Sequence, residues 1–326
     1  MQASKTVLVI GANGGIGRES CLALLRHGWQ VRALVRALPP ENQQQGITWI
    51  KGDAMSAADV LSAAQGVAAI VHAVNPPGYR DWDKLVLPMM DNTIEAARAN
   101  HARVVLPGTI YNYGPDAFPL LREDSPQHPQ TRKGEIRVEM ERHLADAATS
   151  GVRSLILRCG DFIGPHAGNT WFSQGLVKAG SEVKTMQYPG DYALGHAWAY
   201  LPDVAETIAL LLEREQELAN FERFHFGGFW LDGHAMLEAV RRSAGKPQIA
   251  AGYFPWWMTA ALAPFMVTLR ELRKMRYLWK SPAQLDDRKL VAFLGGRPYT
   301  PLDEALRTTL TAIGCMPSQR TAAHVA

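Results

Sequence analysis

The sequence predicts an α/β protein built on a doubly wound parallel sheet, and two observations carry that prediction. A glycine-rich turn, Gly11-x-x-Gly14-x-x-Gly17, directly follows the apolar run Val7, Leu8, Val9, Ile10. Behind it, short apolar runs alternate with helix-like segments up to about residue 160. That alternation winds helices onto both faces of one parallel sheet.

Residues 6–10 read as a buried strand, because consecutive apolar side chains suit a sheet covered on both faces. The chain must then turn too tightly for a Cβ. Gly11 permits the turn, Gly14 lets the backbone approach phosphate, and Gly17 lets the helix over 15–27 pack on the strand. The free amides and positive dipole end of that helix then face a pyrophosphate, with Asn13, Gly15 and Ile16 in the same turn. This is the layout of a Rossmann-type dinucleotide site. Further strands are expected at 30–35, 47–50, 67–72, 103–106 and 153–157. Helices are expected at 56–65, 82–100 and 133–149, the last marked by the buried stripe Ile136, Met140, Leu144. The polar, proline-bearing stretch 37–46 reads as a surface connection.

With 326 residues, 47% hydrophobic and 20% charged, the chain can bury a substantial core in one large domain or two joined ones. A formal charge of +3, without a run of five basic residues, argues against nucleic acid as partner. Cys21, Cys159 and Cys315 are widely spaced and form no C-x-x-C pair, which suits reduced thiols in a cytoplasmic setting. A strand beginning near residue 6 leaves no room for a signal peptide. The most apolar stretch, 253–269, is cut by Pro255 and Pro264 and is short for a bilayer, so no membrane span is expected. The ten histidines form no HExxH or paired cluster, and no metal site is expected.

The second strand, Val31-Arg32-Ala33-Leu34-Val35-Arg36, has no acid at its end to receive a ribose 2′-hydroxyl. Alternation places Arg32, Leu34 and Arg36 on one face. Terminal Arg36 is the natural partner of a 2′-phosphate, which a guanidinium meets in a two-pronged, charge-assisted geometry. NADP is therefore favoured over NAD.

The glycine spacing at the start of the chain resembles the short-chain dehydrogenase/reductase superfamily, in its extended and atypical branch, the NAD-dependent epimerase/dehydratase family. That resemblance implies a smaller, discontinuous C-terminal substrate lobe. Segments near 165–195 and 228–285 would leave the sheet, while 197–215 and 222–226 would return to it. The division is then a dinucleotide-binding domain over 1–160, rejoined by 197–226, and a lobe formed by 161–196 and 227–326. In Lys51-Gly52-Asp53-Ala54 the resemblance puts the Asp53 carboxylate, beside Ala54, at the adenine amino group. In His72-Ala73-Val74 it lays the small Ala73, next to Val74, against the adenine-side ribose, with His72 as a packing residue. The stretch Arg158-Cys159-Gly160-Asp161-Phe162-Ile163-Gly164-Pro165 would set its backbone at Cys159 against the nicotinamide carboxamide. Asp161 there is an acid/base, a substrate-hydroxyl acceptor or a turn cap. Asp203 reads as a helix N-cap. Trp171, Trp198, Trp256, Trp257 and Tyr200 either line a pocket or fill the lobe core.

Pro107-Gly108-Thr109-Ile110-Tyr111-Asn112-Tyr113-Gly114 resembles the family's Ser-Ser-x-x-x-Tyr-Gly, which gives Thr109 the hydroxyl that bonds the substrate oxygen. The family's Tyr-x-x-x-Lys is altered. Anchored on Glu141, the lysine position holds Arg137 and the tyrosine position holds Lys133. Three readings stay open. Lys133 donates a proton after its pKa is depressed by burial or by the neighbouring Arg137. Alternatively, Lys133 and Arg137 only grip phosphate or ribose. Or Tyr111 or Tyr113 supplies the phenol, Tyr111 facing the same way as Thr109 if the strand persists. The expected function is an NADP-dependent oxidoreductase or epimerase-like enzyme on a small carbonyl or hydroxyl compound. The alternative is an NAD(P)-binding sensor that has lost its chemistry. A sugar-nucleotide binder would want more basic residues than 160–200 provides. The resemblance also implies a homodimer pairing through 82–100 and 133–149.

Overall fold

The structure, a computed structural model, describes residues 5–40, 46–76, 81–168, 170–263 and 266–316. Its centre is a seven-stranded sheet of β1 (Thr6–Ile10), β2 (Gln30–Val35), β3 (Thr48–Lys51), β4 (Ala69–His72), β5 (Arg103–Gly108), β6 (Ser154–Cys159) and β7 (Phe221–Phe226). All pairings are parallel, in the order β7-β6-β5-β4-β1-β2-β3. The winding direction reverses between β1 and β4, which opens a crevice beyond their carboxyl ends.

Alternation along the strands supplies both cores. Val7, Val9, Val31, Ala33 and Val35 pack under α1 (Gly15–Arg26) and α5 (Leu201–Glu213). Leu8, Ile10 and Leu34 face the other way, against α2 (Ala57–Ala63), α3 (Trp82–Asn100) and α4 (Arg132–Thr149). The expected strands and helices of this half all form, and β7 is the returning segment. Of the connection 37–46, residues 41–45 lie outside the described residues.

Beyond β6 the chain builds a three-stranded sheet from Asp161–Ile163, His196–Tyr200 and Phe229–Leu231, and a parallel pair, Thr185–Tyr188 with Ala250–Tyr253. Helices α6 (Gly233–Ala244), α7 (Trp256–Leu262), α8 (Val267–Lys274), α9 (Arg288–Leu294) and α10 (Leu302–Ala312) complete it. Trp171, Phe172, Tyr188, Trp198, Tyr200 and Trp279 share one core with Leu306 of α10, while Leu290 of α9 joins the sheet core. So Trp171, Trp198 and Tyr200 are core, Trp256 is half-buried against it, and Trp257 is neither core nor pocket, being 73% exposed.

Asp203 is not an N-cap. Pro202 starts α5 at Leu201, one residue after the preceding strand, so Tyr200 takes the cap position and Asp203 falls in the first turn. Its carboxylate instead accepts from the Thr300 amide at 2.8 Å and the Thr300 hydroxyl at 2.7 Å.

The glycine turn separates stability from binding. A Cβ at Gly17 would lie 2.3 Å from the Gly11 carbonyl oxygen, whereas one at Gly14 would meet only that oxygen, at 3.4 Å. Gly17→Ala should lower the unfolding free energy by about 1–3 kcal/mol in urea titrations. Gly14→Ala should cost under about 1 kcal/mol and still impair dinucleotide binding, because its methyl group enters the space left for phosphate.

Candidate active site

The glycine turn sits at the reversal point of the sheet. Gly11 has φ of +88°, and a Cβ there would lie 2.8 Å from the Val74 backbone, so two strand ends meet only through a glycine. Ala73 donates its amide to Ile10 O at 2.9 Å, closing the same junction. No side chain caps α1 and no acid occupies its first turn, so its first amides and dipole face the crevice. Asn13 Nδ2 donates to Ala37 O at 3.1 Å and ties the turn to the chain leaving β2. Arg32 spends its guanidinium on Ala63 O and Gln65 O, at 3.3 and 2.6 Å. Arg36, beyond the strand end, is exposed at this rim. Asp53, also exposed, accepts from the Met55 amide at 3.0 Å, and Ala54 O accepts from Asn92 Nδ2 at 2.9 Å. A turn that admits only glycine at position 11 and an uncapped helix end fit a dinucleotide.

At the end of β5 the strand does not persist as far as Tyr111. It stops at Gly108, and Thr109 caps a 3-10 turn over Ile110–Asn112, its Oγ1 accepting from the Tyr111 amide at 3.3 Å. Strand alternation therefore does not relate Thr109 to Tyr111. Tyr113 turns inward instead: it is fully buried, with its hydroxyl 3.3 Å from His225 Nε2 and the Arg158 guanidinium 4.9 Å from its ring centre. Burial raises its phenol pKa.

A buried pair locks this turn to α4. Arg158 donates to both Glu141 oxygens at 2.8 and 2.7 Å, and to Thr109 O at 2.6 Å. Glu141 also accepts from Asn112 Nδ2 at 2.9 Å and Gln127 Nε2 at 3.0 Å. The acid that sets the sequence register of Lys133 is thus also the group that fixes the helix in space.

Lys133 lies in the first turn of α4, after Thr131, whose Oγ1 accepts from the Gly134 amide at 3.1 Å. A Cβ at Gly134 would lie 2.3 Å from Tyr111 O, so the Thr109 turn packs directly on this helix start. Lys133 is 3% exposed. Its Nζ is 3.7 Å from Glu271 Oε2 of α8 and 5.9 Å from the centre of the Trp82 ring. Burial pushes its pKa down to about 8; the Glu271 carboxylate opposes that shift, and Lys274 adds to it. Arg137 points elsewhere, donating to Asn75 Oδ1 at 2.7 Å with its guanidinium 5.2 Å from the Trp82 ring centre. One buried tryptophan thus serves two cations a helical turn apart. His72, behind them, pairs with Thr93 Oγ1 at 2.8 Å, and burial holds it neutral with a pKa of about 3.

Asp161 caps no turn. It begins a strand, and its Oδ2 lies 2.7 Å from His196 Nε2, with both side chains buried. The His196 ring stacks on Trp279 at 3.9 Å between centres. Cys159 is buried and its thiol pKa is pushed well above the ordinary range, so only its backbone can serve a ligand. Among the described residues no three metal-ligating side chains come together.

The sequence profile of the NAD dependent epimerase/dehydratase family matches residues 7–227. The chain belongs to that family. Its members depend on a nicotinamide dinucleotide, in keeping with the turn at Gly11. This family member is 35% identical over 98 residues to the 2-alkyl-3-oxoalkanoate reductase of Stenotrophomonas maltophilia, covering 29% of the chain and 30% of the relative. It is 30% identical over 90 residues to an isoflavone reductase homolog of Zea mays, covering 24% and 29% respectively. The matches thus span under a third of the length of either relative. Solved structures agree over far more of the chain. The UDP-glucuronic acid 4-epimerase of Bacillus cereus, in complex with NAD, has a TM-score of 0.75 at 18% identity, over 94% of this chain and 98% of that one. MoeE5 with UDP-glucose and NAD gives 0.72 at 19%, over 94% and 98%. At these identities the likeness is one of fold.

The depressed amine predicts a stability signature. The native state releases the Lys133 proton near pH 8, whereas an unperturbed lysine holds it to about 10.5. Between those values the unfolded chain binds more protons, so stability rises with pH across the window. Unfolding free energies of the wild type minus those of Lys133→Met should climb from pH 8 to 10.5 and be flat below pH 8. A flat difference throughout would show an unperturbed amine.

Proposed function

We propose that this chain is an NADP-dependent oxidoreductase or epimerase-like enzyme acting on a small carbonyl or hydroxyl compound. The observation that carries the reading is Lys133, a desolvated amine standing where the family keeps a phenol. Its proton leaves near pH 8, close to where a donor and acceptor works best. Protonated Lys133 hands a proton to a carbonyl oxygen, or neutral Lys133 takes one from a hydroxyl. Thr109, and Tyr111 beside it, hydrogen-bond the same substrate oxygen. The cofactor, when bound, supplies or accepts the hydride.

In this reading the pyrophosphate lies on Gly11, Asn13, Gly14, Gly15, Ile16 and Gly17, and Arg36 takes the 2′-phosphate. Asp53 and Ala54 meet the adenine, and Ala73 and Val74 its ribose. Arg137 serves the nicotinamide ribose, and the Cys159 backbone meets the carboxamide. The lobe of 161–196 and 227–326 encloses the substrate, and two copies pair through α3 and α4 in a cytoplasmic setting. MoeE5 has been solved with UDP-glucose and with UDP-glucuronic acid. Here, however, 160–200 offers only Lys178 and Lys184 as lysines or arginines, which favours a smaller, uncharged substrate. One observation supports a sensor instead: the Glu271 carboxylate facing Lys133 favours keeping its proton.

NADPH titrations should give tighter binding than NADH, and Arg36→Ala should erase the difference by removing a charge-assisted contact of about 1.5–3 kcal/mol. Equal wild-type affinities would exclude the NADP assignment. Across a panel of small carbonyl compounds with NADPH, Lys133→Met should lose most turnover while keeping NADPH affinity. Tight NADPH binding without turnover of any compound would establish the sensor.

A further inference from the structure

The outer face of α7 and α8 has no role in the site, yet its composition is unlike the rest of the surface. Trp257 is 73% exposed and Tyr253 69%, and Met258 and Met266 are also exposed. Single exposed apolar residues are ordinary, but four large ones within a short stretch on packed elements are not. Arg273, Arg276 and Lys280 follow, all exposed, whereas Lys274 and Arg270 are spent on Glu271 at 2.9 and 3.9 Å; the Arg276 guanidinium lies 5.2 Å from the Trp256 ring centre, which joins the basic and aromatic parts. From 253 to 280 the only acid is Glu271, and its carboxylate is buried on the inner side, facing Lys133. The segment 253–280 therefore exposes apolar and cationic side chains and no carboxylate of its own.

We propose that this α7–α8 face docks on a membrane surface carrying anionic lipid. Tryptophan and tyrosine settle at the level of lipid headgroups, and short amphipathic helices lie in that plane with apolar side chains below and basic ones above. Lysine and arginine beside such anchors are drawn by the negative surface potential. Among the described residues no helix is long and apolar enough to cross a membrane, so the contact is one of lying on the surface. Charge decides between this occupant and a second copy. A symmetric contact through the face would set three unneutralised basic side chains against three, whereas an anionic lipid surface neutralises them. The assignment is independent of the chemistry at Lys133.

Vesicle flotation of the full chain tests it, with phosphatidylcholine vesicles made with and without phosphatidylglycerol. The protein should float with the phosphatidylglycerol vesicles and weaken as sodium chloride rises. It should bind phosphatidylcholine alone far less. Trp257→Ser with Met258→Ser, and separately Arg273→Glu, should each lower binding about tenfold or more. Leu61→Ser, at an exposed apolar position on α2, should leave it unchanged. All of these positions are exposed, and circular dichroism and thermal melts confirm that each variant is folded. The proposal fails if folded wild type does not float with anionic vesicles, or if the face variants bind as well as wild type. Self-association that Trp257→Ser abolishes, without vesicle binding, would assign the face to a second copy.

Discussion

The buried pair of Arg158 and Glu141 is the constraint on which the geometry of the candidate site rests. One guanidinium holds the carbonyl of Thr109 and both oxygens of a carboxylate on α4, so the strand-end turn and the helix start keep a fixed separation. Burying two charges is costly unless their remaining hydrogen-bonding positions are filled. Asn112 and Gln127 do this for Glu141, and the Tyr113 ring covers the guanidinium. The pair therefore specifies a geometry more than it adds stability. Thr109, Tyr111 and Lys133 are near one another because of it.

A second constraint arrives from the far end of the chain. Alongside Glu271, the segment after α8 brings Met275 to 3.8 Å from Thr131 Oγ1 and the Tyr277 hydroxyl to the Tyr113 carbonyl at 3.1 Å. These contacts cover the start of α4 and remove Lys133 from water. Its lowered pKa is thus a product of packing between lobe and sheet. In bulk solvent the same amine would stay charged far above neutral pH. A lysine at this position exchanges its proton near neutral pH only where it is dry.

Much of this was legible in the sequence because it is local. Strand alternation, helical repeats and glycines that tolerate no Cβ leave periodic or positional marks, and they placed β1 to β6 and the turn at Gly11, while the return at β7 came from the family resemblance. The offset from Glu141 is what proposes Lys133 and Arg137 for the motif positions. The environment of Lys133 was not legible. Glu271 stands in the charged run Arg270-Glu271-Leu272-Arg273-Lys274, where it reads as a solvated surface acid. Trp82 reads as an ordinary helix start, and nothing near Asp161 announces His196. Each contact joins distant segments whose meeting depends on how the lobe folds back. Asp203 was misread for a different reason: Pro202 starts the helix earlier than the acid suggests, and the carboxylate then finds Thr300.

The central claim is that Lys133, held by packing and by the Arg158–Glu141 lock, serves the reacting end of a bound dinucleotide. A crystal structure of the complex with NADPH tests it most directly. The account predicts Lys133 Nζ and Thr109 Oγ1 converging beside C4 of the nicotinamide, with Arg137 on the adjoining ribose. A nicotinamide ring lying away from Lys133, with the amine still turned to Glu271, would contradict it.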